Sequence, residues 1–411
     1  MKKLLNIAVY CSVLFLFQGC IKDKITHTYS ILTPVYKTKA EVFGNIKSNA
    51  PQTVQSPGKI FIYGHYIFLN EVDKGVHVID NSNPANPVEK AFIDIPGNID
   101  IAVKGNTLYA DMYDDLVAID ITNPLQAKLM KNIPGVFPER TYSGGFVSTQ
   151  GLVIVGWTRK DTTVEVAPSR DYIVYDYASA NAVSPQFSAS SAAKAGIAGS
   201  MARFSIVNNY LYAVDHHTLK SISIANANEP TLVGTISAGW DIETIYPFKD
   251  KLFLGSMGGV FIFDISNAAS PVAQGNFVHA RACDPVIADD NYAYVTLRAG
   301  TYCGPTTNEL QIINIKNLTA PTLITTYPMT NPQGLGKDNN LLFICDGDGV
   351  KVYNASNVAS LQLVKTISGL EPSDVIAYNG IALVVAKDGL YQYDYSNASN
   401  IKLLSKITVS K

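Results

Sequence analysis

One phrase returns along this chain at a near-constant interval. GVHVIDNSNPANP begins at Gly75, DLVAIDITNPLQA at Asp115, GVFIFDISNAASP at Gly259, DGVKVYNASNVAS at Asp348 and DGLYQYDYSNASN at Asp388. Its closing Asn falls at Asn83, Asn123, Asn226, Asn267, Asn317, Asn357 and Asn397, and Ser179 fills the missing place after IVYDYAS. The successive spacings are 40, 56, 47, 41, 50, 40 and 40 residues. A period near 40 with local insertions is a repeat array. It constrains the fold more than any other feature, because one unit cannot bury its apolar face without its neighbours.

Each unit has the same internal grammar. From Asn98, a short apolar run, IDIAV, leads to a Gly105-Asn106 turn, then TLYADMY, a tight acidic turn, LVAIDI, the break ITNP and the run AKLMKNI. Gly and Asn tolerate the positive φ that a tight hairpin needs. Asn bonds its own backbone, and Pro cannot continue a central strand. The runs are short and rich in β-branched and aromatic residues, with no helical period between them. Four antiparallel strands per 40-residue unit predict β-propeller blades. A parallel β-helix would need shorter turns and more uniform coils, and no linker divides the chain into two smaller propellers.

The expected architecture is therefore all-β: a single β-propeller of eight four-stranded blades, with seven as the fallback. The eight units start near Lys59, Asn98, Ser143, Gly199, Ile242, Asp284, Gly334 and Pro372. Unit three is degenerate, since its phrase lacks both Asn and Pro. Blade one begins with its own inner strand and blade eight ends with its own outer strand. No strand exchange closes the ring, so residues 26–57 are expected to add an edge strand or to lie across the last blade. The phrases at Gly75, Asp115 and Gly259 resemble the LVIVD repeat, a propeller repeat of bacterial exported proteins. The resemblance covers about residues 59–411; it implies the fold and implies almost nothing about activity.

The N-terminus carries a separate signal. Lys2 and Lys3 precede an apolar run, Leu4 to Phe17, and then Gln18-Gly19-Cys20. The charged start and the run length are those of a secretory signal, and the run is shorter than the roughly 20 residues of a membrane span. The ending resembles a bacterial lipoprotein signal, which implies lipidation at Cys20. Ile21 after it implies sorting to the outer membrane, and the combination with LVIVD repeats resembles lipoproteins of a Bacteroidetes-like source. The expected division is residues 1–20 as signal peptide, 21–58 as tether and clamp, and 59–411 as propeller. Whether the anchored protein faces the periplasm or the cell surface stays open.

Of the cysteines, Cys283, Cys303 and Cys345 then remain. An exported chain forms disulfides; Cys283 and Cys303 are expected to pair, and Cys345 to be a buried small hydrophobe. The net charge of −2 gives no basic field for nucleic acid.

If the repeat is structural, function belongs where units differ. The links between blades and the loops between second and third strands share one face, decorated by insertions at 158–170, 178–196 and 298–308. Around the channel mouth on that face the chain offers Asp100, Arg140, Tyr142, Arg203, Trp240, Asp241, His279, Arg281, Asp284, Gln333 and Asp374 as ligand-binding candidates. No nucleophile–base pair or metal-ligand spacing is seen, so no catalytic residue, metal or cofactor is assigned. The expected function is a non-enzymatic binding or scaffolding module for a protein, glycan or envelope partner. The alternative is an exported enzyme acting on a carbohydrate or small organic substrate at the channel mouth.

Overall fold

The computed structural model describes residues 25–138, 152–166, 197–282, 285–300 and 308–410. The chain divides into two compact units, one drawn from residues 1–35 and 156–181 and the other from 36–155 and 182–411. In the first, the described residues form a two-stranded ribbon. Its cross-strand bonds run antiparallel: Thr28 Oγ1 meets Thr163 Oγ1 at 2.9 Å, Ser30 Oγ donates to Asp161 Oδ1 at 2.7 Å, and Thr158 Oγ1 donates to the Thr33 carbonyl at 3.2 Å.

The second unit is a propeller of seven four-stranded blades, not eight. Blade 1 comprises Pro57–Tyr63, Tyr66–Glu71, Gly75–Asp80 and Val88–Asp94. Blades 2 to 7 follow over residues 101–133, 204–237, 242–278, 286–328, 332–368 and 372–408. The unit expected to start at Ser143 contributes no blade among the described residues. Its one strand, Leu152–Val166, pairs with Ile25–Thr38 instead. The local reason is legible: TRKDTTVEV, expected to swell as a loop, is rich in β-branched residues and carries no Gly, Pro or Asn, so the strand runs straight on.

Elsewhere the turn chemistry follows the sequence. Gly64, Gly105, Asn208, Lys249, Asn339 and Asn379 take positive φ in the first hairpins, between 50° and 61°. The recurring Asp and Asn are turn caps. Asp80 Oδ1 accepts from Ser82 N at 3.0 Å, Asp120 Oδ1 from Thr122 N at 2.9 Å and Asp394 Oδ1 from Ser396 N at 2.8 Å. Three positions on, Asn83, Asn123 and Asn397 each accept a second backbone N–H at 3.1 Å. Asp176, which holds the same place in the phrase IVYDYAS, lies outside the described residues.

A device the repeat hides is a bulge in every fourth strand. The ladder to the third strand skips Lys90, Met130, Val233, Gln274, Ile324, Val364 and Leu404, one per blade. A bulge twists and interrupts an outer edge, which discourages edge-to-edge aggregation.

The N-terminal segment pairs at the edge of blade 1 and packs between blades 1 and 7. Ser48 and Asn49 pair with Ile93 and Phe92 at the outer edge of blade 1. Val54 joins a core cluster with Ile60, Ile67 and Leu69 of blade 1 and Ile376, Leu383 and Val385 of blade 7. The Val54 carbonyl also accepts from Ser410 N at 2.7 Å. The ring is thus closed by packing and side chains rather than by a shared sheet.

Candidate functional site

The centre of the propeller is filled by the chain returning after the third unit. Ile197 and Ala198 pair with Ile62 and Phe61 on the inner strand of blade 1. Ser200 Oγ accepts from Leu335 N of blade 6 at 2.6 Å and donates to Asp374 Oδ1 of blade 7 at 3.4 Å. The Ala202 carbonyl accepts from Ile245 N of blade 4 at 3.0 Å, the Arg203 carbonyl from Val214 N of blade 3 at 2.9 Å, and Arg203 N donates to Asp100 Oδ2, at the entry to blade 2. Before it enters blade 3, this segment bonds to blades 1, 2, 4, 6 and 7, which places it on the ring axis. Ser200, Met201 and Ala202 are buried accordingly.

Asp100 and Asp374, expected to line an open mouth, are buried against this plug. Lys59 Nζ reaches Asp100 Oδ2 at 2.9 Å, with both side chains out of solvent. Burial pushes the Asp100 carboxyl up and the Lys59 ammonium down, and their attraction opposes both shifts. Asp374 lies where a Cβ on Gly199 would come within 2.5 Å of its Oδ2 and a Cβ on Gly334 would fall on its carboxylate. Burial raises the Asp374 carboxyl to about 7 against the Val375 and Ser200 backbone N–H groups, which favour the anion.

A second feature escaped sequence reading. An acid at the end of the second strand holds the incoming link. Glu71 accepts from Gln55 N at 3.0 Å and Ser56 N at 2.7 Å, Asp111 from Ile99 N and Asp100 N at 2.8 Å each, and Asp346 from Thr330 N at 2.9 Å and Asn331 N at 2.7 Å. A base on the third strand often faces it: His77 to Glu71 at 3.1 Å, and Lys351 to Asp346. Lys220 pairs likewise with Asp215, which binds its own turn; burial alone would raise that carboxyl, but Lys220 and the His217 and Thr218 donors hold it at about 2. The signal was present as an acid closing the second apolar run, with a base five or six positions later.

The remaining candidates separate. Trp240, Asp241, His279 and Arg281 sit together on the link-bearing face, between blades 3, 4 and 5. Trp240 is 77% exposed, and the His217 ring meets it edge-on with centroids 4.9 Å apart. Arg281 Nη2 lies 3.6 Å from Asp241 Oδ2 and donates to Met257 Sδ at 3.3 Å. His279 Nδ1 lies 2.8 Å from the Ala280 carbonyl. Gln333 is half-buried, its carbonyl accepting from Thr296 Oγ1 at 2.7 Å. Arg140, Tyr142 and Asp284 lie outside the described residues, as do Cys20 and the expected Cys283–Cys303 pair. Cys345 is a free, buried thiol, pushed well up by burial.

Residues 57–94, 98–133, 253–278 and 280–329 match the LVIVD repeat. No curated protein matches the sequence. Among solved structures, the chain is similar to a protein from Lactobacillus plantarum at 14% identity, over 86% of this chain and 97% of that one, with a TM-score of 0.56. It is similar to the computationally designed Ika8 protein at 11% identity, over 88% and 90%, with a TM-score of 0.53. Similarity to Saccharomyces cerevisiae Sqt1 is at 9% identity over 92% and 88%, with a TM-score of 0.51. At these identities the likeness is one of fold.

Proposed function

The chain is a seven-bladed propeller carrying LVIVD repeats, and from that premise we propose that it is a binding or scaffolding module, tethered to the outer membrane through a lipidated Cys20, that engages an envelope partner with its link-bearing face. The observation that carries the reading is the occupied channel. Asp100 and Asp374 are buried against residues 197–203, and Asp100 is paired with Lys59. An enzyme at the channel mouth would need those carboxylates within reach of substrate. The exposed candidates instead form a surface patch around Trp240 and Arg281, residue types that dominate recognition energetics.

Two supports bear on the tether. The Lys2-Lys3 start, the apolar run and Cys20 have the order of a lipoprotein signal. Multiple acyl chains on one cysteine anchor stably where one chain is marginal.

The test is affinity capture from native envelope with the full-length protein and with W240A/R281E. A partner retained by the first and lost by the second is expected; equal capture by both would overturn the assignment of the face. Mass spectrometry of the mature protein should find an acylated Cys20, and C20A should release the protein from the membrane fraction. An unmodified mature N-terminus would overturn the tether.

A further inference from the structure

Trp240 has the highest exposure of the large apolar side chains described in this protein. An indole at 77% exposure contributes nothing to the core, yet the backbone under it is strained to present it. Gly239 takes φ 134° on one side and Asp241 takes φ 52° on the other, a left-handed conformation uncommon outside glycine. The link is pinned in that shape. Ile242 N donates to the His216 carbonyl at 3.0 Å, and Met257 N donates to the Asp241 carbonyl at 3.1 Å. The His217 ring packs against the indole at 69° with centroids 4.9 Å apart, and most of the Trp240 surface stays in solvent.

What surrounds the ring selects the class of ligand. Asp241 and Arg281 stand 3.6 Å apart with 43% and 61% of their side chains exposed, so both reach solvent beside the indole's link. The two are opposite charges in contact, which does not favour a strongly charged ligand. A flat aromatic platform flanked by a neutral mixture of donors and acceptors complements a pyranose, whose one face carries C–H groups and whose edge carries hydroxyls. The carboxylate accepts from hydroxyls and the guanidinium donates to them.

We propose that Trp240, Asp241 and Arg281 form a saccharide-binding site for a neutral oligosaccharide or glycan chain. A pyranose ring stacks on the indole, and adjacent hydroxyls bond Asp241 and Arg281. The proposal rests on the reading of the link-bearing face as the recognition face, and it names the partner's chemistry.

The test uses intrinsic fluorescence of the full chain carrying W157F, so that Trp240 is the sole indole. The probes are cello-, malto-, manno- and chitohexaose, with affinity electrophoresis through the matching polysaccharides as the second readout. Saturable quenching by at least one probe is expected, together with retardation lost in W240A, kept in part by W240F and weakened about tenfold in R281A. No saturable binding to any probe, or retardation unchanged in W240A, would overturn the saccharide site. Envelope capture separates the two levels. If W240A/R281E loses a captured partner while no saccharide binds, the face stands and its ligand is protein. If neither binding is seen, both readings fall.

Discussion

Asn81 and Gln392, 311 positions apart in the chain, exchange two hydrogen bonds across the seam between the last blade and the first. Asn81 Nδ2 donates to Gln392 Oε1 at 3.0 Å, and Gln392 Nε2 donates to Asn81 Oδ1 at 2.7 Å. Beside them Ser405 Oγ donates to the Pro84 carbonyl at 2.6 Å. The pair sits where a ring without strand exchange is weakest. Replacing one amide leaves the other with unmet groups in a part-buried seam. N81A and Q392A are each expected to lower stability by about 1–3 kcal/mol. The double variant should cost less than the sum, read as urea midpoints in a double-mutant cycle. Additive losses would show that the seam is held elsewhere.

The plug is expected to make stability depend on pH through Asp374. Burial raises this carboxyl from 3.8 to about 7, so the folded state binds its proton more tightly than the unfolded chain. Its contribution is complete below 3.8 and is lost as pH rises through about 7. D374N, which keeps a neutral side chain of similar shape, should flatten the fall in stability across that interval. Chemical denaturation at closely spaced pH values measures this; an unchanged slope would refute it.

His77 acts in the same direction higher on the scale. Burial alone would lower its pKa, but Glu71 and Glu89 outweigh burial and raise it above 6.5. Its stabilisation is present below 6.5 and is lost as pH rises through the raised value. Lys74 also lies near, 3.7 Å from Glu71. Because Glu71 also holds Gln55 N and Ser56 N, H77Q should loosen the closing segment. Faster amide exchange at Gln55 and Ser56 in H77Q is the expected readout, and exchange equal to wild type would count against the linkage.

Breaking the buried pair beneath the plug should be severe. K59M removes the cation and leaves Asp100 in the interior, a change expected to cost about 3–5 kcal/mol. K59M/D100L, which removes both charges, should recover much of that loss. A K59M midpoint within error of wild type would mean that Asp100 is neutral in the fold.

Space around Asp374 is equally tight. G334A sets a methyl against the Asp374 carboxylate and within 2.9 Å of its Cα. Overpacking of this kind costs about 1–3 kcal/mol. G64A, at a hairpin tip with open space around it, meets no atom within 4 Å but is strained by its φ of 61°. Its loss should therefore appear without any change in the pH profile that Asp374 sets.

The chain's own order of residues determined what is local. Strand lengths, hairpin tips such as Asn208 and Asn379, and the Asp80–Asn83 turn grammar follow from φ preferences and from side chains that bond their own backbone. Those forces act over a few residues and repeat whenever the phrase repeats, so the propeller was legible from spacing alone. Tertiary structure decided the rest. Leu152–Val166 carries strand-forming residues and could have joined a blade, but which edge a strand pairs with depends on what lies beside it after the ring has formed; here the partner is Ile25–Thr38. Asp100 and Asp374 read as rim residues because their distance from the channel axis is set by residues 197–203, about a hundred positions from one and about 170 from the other. A buried carboxylate and an exposed one look alike in a sequence, and what separates them is the desolvation imposed by a segment distant in the chain.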